Sequence, residues 1–169
     1  MGRVVEAGEL AKIREDASAR SMRLVFTNGC FDIIHRGHAD LFKAARELGD
    51  MLVVAINSDA SIARLKGSRR PIVAEDDRAA VLAALETVDY VTIFDEDTPA
   101  QIIDLVRPDV LVKGADYEID EIVGRERVEA DGGEVVRFPL RDGFSTEQLL
   151  RRIARVYGDL PDEGEAGEG

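Results

Sequence analysis

The chain is short of several things that would otherwise define its class. It has one cysteine, Cys30, in 169 residues, which excludes an intramolecular disulfide. No apolar run reaches the ~20 residues of a membrane span or forms a signal-peptide core, so a soluble, cytoplasmic protein with no membrane partner is the expectation. Positive charge is scarce: 22 basic side chains face 34 acidic ones, for a net charge of −12. A nucleic-acid backbone needs a basic stripe, and that partner is excluded, while a small phosphorylated ligand remains open. No internal repeat and no interdomain linker is found. With 45% apolar residues there is enough for one core at single-domain size.

Histidine is equally scarce, and both copies fall in one segment, Phe26-Thr27-Asn28-Gly29-Cys30-Phe31-Asp32-Ile33-Ile34-His35-Arg36-Gly37-His38. The apolar run from Met22 to Thr27 fits a buried strand, and Ala39 to Leu48 has the apolar spacing of an amphipathic helix. Between them lies a first strand-to-helix loop, where open parallel sheets bind phosphorylated ligands. Near the helix start, Gly37 leaves the free backbone N–H groups open to a phosphate. His35 and His38, at i and i+3, can converge on one point and donate ring N–H bonds to a phosphoryl oxygen.

That arrangement suits charge stabilisation better than proton abstraction. An attacking phosphate is already ionised at neutral pH, so positioning and electrostatics do the work. In-line displacement at the α-phosphorus of a nucleoside triphosphate loads charge onto the equatorial oxygens and the leaving pyrophosphate. Donors are needed there, with Mg²⁺ held mainly by triphosphate oxygens and water. The competing reading is a zinc site built from Cys30, Asp32, His35 and His38, all legitimate ligands. Against it, the chain has no second ligand cluster. Cys30 has no basic partner to activate it as a nucleophile and reads as a small loop residue.

Further strands are expected at Met51–Asn57, Tyr90–Phe94, Asp109–Val112 and Glu134–Phe138, alternating with helices at Asp59–Leu65, Glu75–Glu86 and from Thr98 and Pro99 to Val106. The fold class is therefore α/β, a Rossmann-like, doubly wound, five-stranded parallel sheet. Residues 1–21 are expected as an N-terminal helical extension, 22–158 as the main domain and 159–169 as a disordered acidic tail. Ligands gather just beyond the strands, which brings in Asn57 and Asp59, and Lys113, Gly114 and Asp116. The run Lys66-Gly67-Ser68-Arg69-Arg70 concentrates cations, as a phosphate site or as a solvated loop. Ser145-Thr146-Glu147-Gln148 has the form of a capping box, whose remaining N–H groups are free for a β- or γ-phosphate. Arg78 follows three acids and reads first as a surface ion pair, second as a substrate contact.

The run Thr27 to Asp32 followed by His35-Arg36-Gly37-His38 resembles the signature of the cytidylyltransferase-like nucleotidyltransferases. Within that superfamily, Ala55-Ile56-Asn57-Ser58-Asp59, Leu65-Lys66-Gly67, Arg70-Pro71, Leu111 to Tyr117 and Asp142-Gly143-Phe144-Ser145-Thr146 resemble the adenylyltransferases that make ADP-heptose. The match runs from about Leu24 to Ile153. The resemblance implies catalytic roles for His35, His38 and Lys113. It implies nucleotide binding by Thr27, Asn28, Gly29, Cys30, Phe31, Gly37, Gly114, Asp116, Ser145 and Thr146, and substrate binding by Asp32, Asn57, Asp59, Lys66 and Arg78. ATP with Mg²⁺ and a sugar phosphate are the implied small molecules. A separate heptose kinase and homo-oligomers are the implied partners, for a stand-alone enzyme feeding lipopolysaccharide or surface-glycan synthesis. The pattern departs at Glu147 and Gln148, since the family commonly continues Ser-Thr-Thr. The alternatives are a cytidylyl- or adenylyltransferase acting on glycerol 3-phosphate or FMN, and a nucleotide-binding sensor without catalysis.

Overall fold

The computed structural model describes residues 2–114, 119–139 and 145–158. Strand β1 is Arg3–Val4 and helix α1 is Ala7–Ala19, followed by β2 (Leu24–Gly29), α2 (Arg36–Arg46), β3 (Met51–Asn57), α3 (Asp59–Lys66) and α4 (Glu75–Ala83). Then come β4 (Tyr90–Phe94), α5 (Ala100–Val106), β5 (Val110–Gly114), a 3₁₀ turn at Ile119–Glu121, α6 (Arg125–Ala130), β6 (Glu134–Phe138) and α7 (Thr146–Tyr157). Every pairing is parallel, in the order β1-β4-β3-β2-β5-β6. Successive strands on either side of β2 build outward in opposite directions, which opens the crevice at the carboxyl ends of β2 and β5.

Alternation explains why the strands read as unbroken apolar runs. In β3, Met51, Val53 and Ala55 face a core shared with α1, α5 and α6, through Leu10, Ala17, Ile103 and Val128. Leu52, Val54 and Ile56 face the other layer, with Phe42 and Ala45 of α2 and Ala79 and Leu82 of α4. Both faces are covered, so both parities must be apolar.

The sheet has six strands where five were expected. The sixth, β1, is two residues long, too short to show a period, and pairs with Tyr90 and Val91 of β4. Residues 3–19 are also more than a helix, because Val5, Leu10 and Ala17 are buried in the main core. Helix α6 was missed for the same reason of length: six residues give fewer than two turns. Pro99 is the N-cap of α5, one residue later than expected. The segments Ala115–Glu118, Leu140–Phe144 and 159–169 lie outside the described residues, and with them the expected role of Asp116 and the expected acidic tail. Among the described residues no helix is long and apolar enough to cross a membrane.

Asp109 fastens α1 to the sheet. Its carboxylate accepts both Arg14 Nη1 and Nη2 at 2.8 and 2.9 Å and the Leu24 amide at 2.8 Å. Asp109→Ala leaves that strand amide and a paired arginine without their acceptor, and a loss of about 1–3 kcal/mol is expected. Urea unfolding checks it, as a lower midpoint with an unchanged m-value.

Candidate active site

The histidine loop leaves β2 at Gly29 and enters α2 at Arg36. His35 is the N-cap of α2, and no side chain bonds back to the helix start. The His38 amide bonds to the His35 carbonyl at 3.0 Å, which leaves the Arg36 and Gly37 amides as the donors for an incoming anion, and Gly37, buried in that turn, adds no side chain to obstruct them. The two imidazoles stack, with ring centroids 3.7 Å apart and planes 20° from parallel. The Nδ1 atoms of both are buried with no hydrogen-bond partner among the described residues.

Phe31 sets this geometry from beneath. Its φ of 43° is left-handed backbone in a non-glycine residue, a strained conformation that persists only where its surroundings hold it. The ring packs edge-on to His38 at 5.1 Å and against Phe42 at 5.0 Å. His38 thereby loses water, and its pKa is lowered to about 4, by burial first and by neighbouring His35 second. Burial lowers that of His35 as well. At neutral pH the pair is uncharged, consistent with its close stacking.

The expected substrate residues divide into two kinds. Asp32 is buried, and its carboxylate accepts Arg70 Nε at 2.6 Å and the amides of Ile72 and Val73 at 2.8 and 2.9 Å. Arg78 is a correction: it is 1% exposed rather than a surface pair. It donates to Val73 O at 2.9 Å, Cys30 O at 2.8 Å and Asp59 Oδ1 at 2.7 Å. Asp32, Asp59 and Arg78 thus hold loops, and Thr27 and Phe31 are likewise turned into the interior.

The others surround a cavity of about 300 Å³ beyond the strand ends. Asn28, Gly29 and Cys30 line it from β2 and its loop, Asn57 from β3, Lys66 from α3 and Lys113 from β5. Lys113 is buried and donates to Asn28 O at 3.2 Å. Asn57 donates to Ser61 Oγ at 3.0 Å, and the Cys30 thiol faces Asn57 Oδ1 at 3.9 Å. Burial raises the pKa of Cys30, outweighing Lys66, Arg78 and Arg70, so it is a thiol and a poor nucleophile. With Asp32 and Cys30 engaged elsewhere, the four donors of the zinc alternative do not converge. Gly114 ends β5. Ser145 accepts the Gln148 amide at 3.1 Å, as the capping box requires, and Glu147 pairs with Arg151 along the exposed helix.

Sequence reasoning missed Leu65, Asp97, Thr98, Pro99, Glu121, Ile122 and Val123, which complete the cavity wall. A signal was available for three of them, since residues 97–99 follow Phe94 at the end of a strand as Asn57 and Lys113 do. The 3₁₀ turn has no periodic pattern to find. A larger groove of 680 Å³ between α5 and α6 adjoins the cavity, sharing Ile122 and Val123. Its arginines, Arg125 and Arg127, are paired with Glu129 and Asp131.

A cytidylyltransferase-like family model matches residues 26–151, from β2 into α7. The chain belongs to the cytidylyltransferase-like family. It is 51% identical over 150 residues to the bifunctional protein HldE of Geobacter sulfurreducens, covering 89% of this chain and 31% of that protein. With HldE of Helicobacter pylori it shares 49% identity over 150 residues, covering 89% and 32%. The chain spans about a third of the length of these curated relatives. A solved lipopolysaccharide core biosynthesis protein from Thermoplasma volcanium GSS1 is 32% identical with a TM-score of 0.59, over 71% of this chain and 97% of that one. Pantoate-beta-alanine ligase from Francisella tularensis shares the fold, with a TM-score of 0.64 at 12% identity over 99% of this chain and 82% of that one.

The histidine pair gives this family member a testable acid response. A pKa lowered in the folded state contributes stability that is complete above the unfolded value of 6.5 and drains away as pH falls toward 4. For His38 that amounts to about 3 kcal/mol. Denaturation midpoints of the wild type and His38→Gln at pH 7.5, 6, 5 and 4 are expected to show the wild type losing stability more steeply.

Proposed function

We propose that the chain is an adenylyltransferase that transfers AMP from ATP to D-glycero-β-D-manno-heptose 1-phosphate, giving ADP-heptose and pyrophosphate. The observation that carries the chemistry is the stacked His35–His38 pair at the start of α2, where no side chain caps the helix, beside a cavity that Lys113 lines. The choice of sugar rests on the sequence resemblance, on about 50% identity to the HldE proteins and on the likeness to a lipopolysaccharide core biosynthesis protein.

In this reading an oxygen of the sugar 1-phosphate attacks the α-phosphorus of ATP. The new P–O bond forms as the bond to the β-phosphate bridging oxygen breaks, and pyrophosphate leaves with the electron pair. No general base is required. The imidazoles donate N–H bonds to the phosphoryl oxygens as charge accumulates there, the first-turn amides of α2 add their partial positive charge, and the Lys113 ammonium offsets the rest. Thr146 and the open amides at the start of α7 are available for the outer phosphates.

Magnesium enters with ATP as its substrate complex. Among the described residues no three of His, Cys, Asp and Glu group into a metal site, and Asp32 within the histidine loop already accepts from Arg70, Ile72 and Val73. Such a lining fits a cation carried by triphosphate oxygens and water and supplying charge at the phosphates. ATP and a sugar phosphate also favour the cytoplasm, with a sugar kinase supplying the 1-phosphorylated heptose.

Pyrophosphate release with Mg²⁺ tests the reading, crossing ATP and CTP with heptose 1-phosphate, glycerol 3-phosphate and FMN. Release is expected with ATP and heptose 1-phosphate; release with another pair replaces the substrate assignment, and tight ATP binding without release supports a sensor. His38→Ala is expected to lower turnover by about a hundredfold or more, the scale of one transition-state donor. Near wild-type turnover would remove His38 from the chemistry.

A further inference from the structure

The 300 Å³ cavity beyond the strand ends has two chemically different sides. Asn28, Gly29, Cys30 and Lys113 form the wall contributed by β2 and β5, and there Lys113 supplies positive charge. Thr98 and Pro99 from the start of α5 and Glu121, Ile122 and Val123 from the 3₁₀ turn form another. Gly124 seats this second wall: its φ is +88°, and a Cβ there would lie 2.6 Å from Ile103 Cδ1 of α5. Asp97 also reaches the cavity, but Arg64 Nε bonds its carboxylate at 2.7 Å. Among the described residues nothing bonds the Glu121 carboxylate.

A carboxylate without a partner repels a triphosphate. It accepts hydrogen bonds from neutral hydroxyls, strongly because the acceptor is charged. Neither histidine lines the cavity, whereas Asn28, Gly29 and Cys30 do, so a molecule in the cavity would lie against the segment that leads into the histidine loop. The volume lies at the small end for ligand sites, which run from about 300 to 1,000 Å³, and suits a molecule of monosaccharide size. A ligand with a phosphate at one end and hydroxyls at the other matches both walls.

We infer that Glu121 is the residue that selects a polyhydroxylated acceptor, by accepting hydrogen bonds from sugar hydroxyls remote from the reacting phosphate, with Thr98 beside it as a second hydroxyl contact. The inference rests on the adenylyltransferase reading. It adds that the acceptor is chosen by its hydroxyls at the 3₁₀ turn and not by its phosphate alone. An acceptor with a large apolar body is disfavoured, because it would bury the Glu121 carboxylate without a donor.

The test is steady-state pyrophosphate release by the wild type, Glu121→Gln and Glu121→Ala, with thermal melting as a control for folding. Heptose 1-phosphate is compared with deoxy-sugar 1-phosphates that each lack one hydroxyl. Glu121→Ala is expected to raise KM for the sugar phosphate about tenfold to a hundredfold, the scale of a charge-assisted hydrogen bond, and to leave KM for ATP unchanged. One deoxy analogue is expected to be penalised in the wild type and not penalised further in Glu121→Ala, because the hydroxyl and the carboxylate are partners. Glu121→Gln is expected to fall between the two. Unchanged sugar-phosphate kinetics, a full deoxy penalty for every analogue in Glu121→Ala, or a parallel rise in KM for ATP would each overturn the inference while the adenylyltransferase reading stands. Wild-type turnover with FMN and not with any sugar phosphate would overturn both.

Discussion

The Arg78 guanidinium donates from each of its three nitrogens, and each bond goes to a different loop beyond the strand ends: Cys30 O before the histidines, Asp59 Oδ1 at the start of α3, and Val73 O before α4. Burying such a charge is expensive unless its hydrogen bonds are all satisfied, which makes the three loops' relative positions mutually dependent. Asp32 completes the clasp from the other side. It accepts the Val73 amide while Arg78 takes the Val73 carbonyl, so two buried charges of opposite sign share one residue's backbone. A lysine offers no planar fork to reach three acceptors. The loop carrying His35 and His38 is thus positioned by groups that need not touch a substrate.

This rigidity matters because the histidines are held in a state that water would not favour. Phe31 and Phe42 surround His38 with carbon, and the ring of His35 lies flat upon it. Charging both rings at that separation would set two cations face to face, which is why the lowered pKa of His38 has both burial and its neighbour as causes. Uncharged rings still carry N–H donors. Opposite charge nearby raises a histidine pKa, so an arriving polyanion supplies part of the stabilisation that the protein alone withholds. If the proposed function holds, the site is organised around a charge that comes with the substrate.

How legible a feature was in the sequence follows from how local its cause is. The histidine loop, the strand before it and the helix after it depend on near neighbours and could be read from spacing. Strand β3 was legible because burial on both faces leaves an unbroken apolar run. Strand β1 was not, since two residues carry no period and only β4, more than eighty residues away, makes them a strand. Arg78 was misread for a related reason. Three acids precede it in its own helix, but its partners lie 5, 19 and 48 residues away, and a local rule can only nominate local partners. Glu121 sits in a three-residue turn whose significance exists only once the turn has folded over the strand ends.

On the adenylyltransferase reading, a chain with a net charge of −12 has to hold a polyanion, and the distribution of its cations suits that task. Many arginines pair with acids at the surface, Arg23 with Glu134, Arg64 with Asp97 and Arg151 with Glu147, and contribute little beyond their own neighbourhoods. Screening limits the repulsion of distant exposed acids to about 8 Å at physiological salt. Attraction therefore has to come from groups in contact: Lys113 beside Asn28, Lys66 at the end of α3, and the open amides of α2. Short-range donors of this kind are sensitive to where each phosphate lies. On that reading the surrounding acidity acts as a filter, since an anion misplaced toward Glu121 meets repulsion instead of a donor.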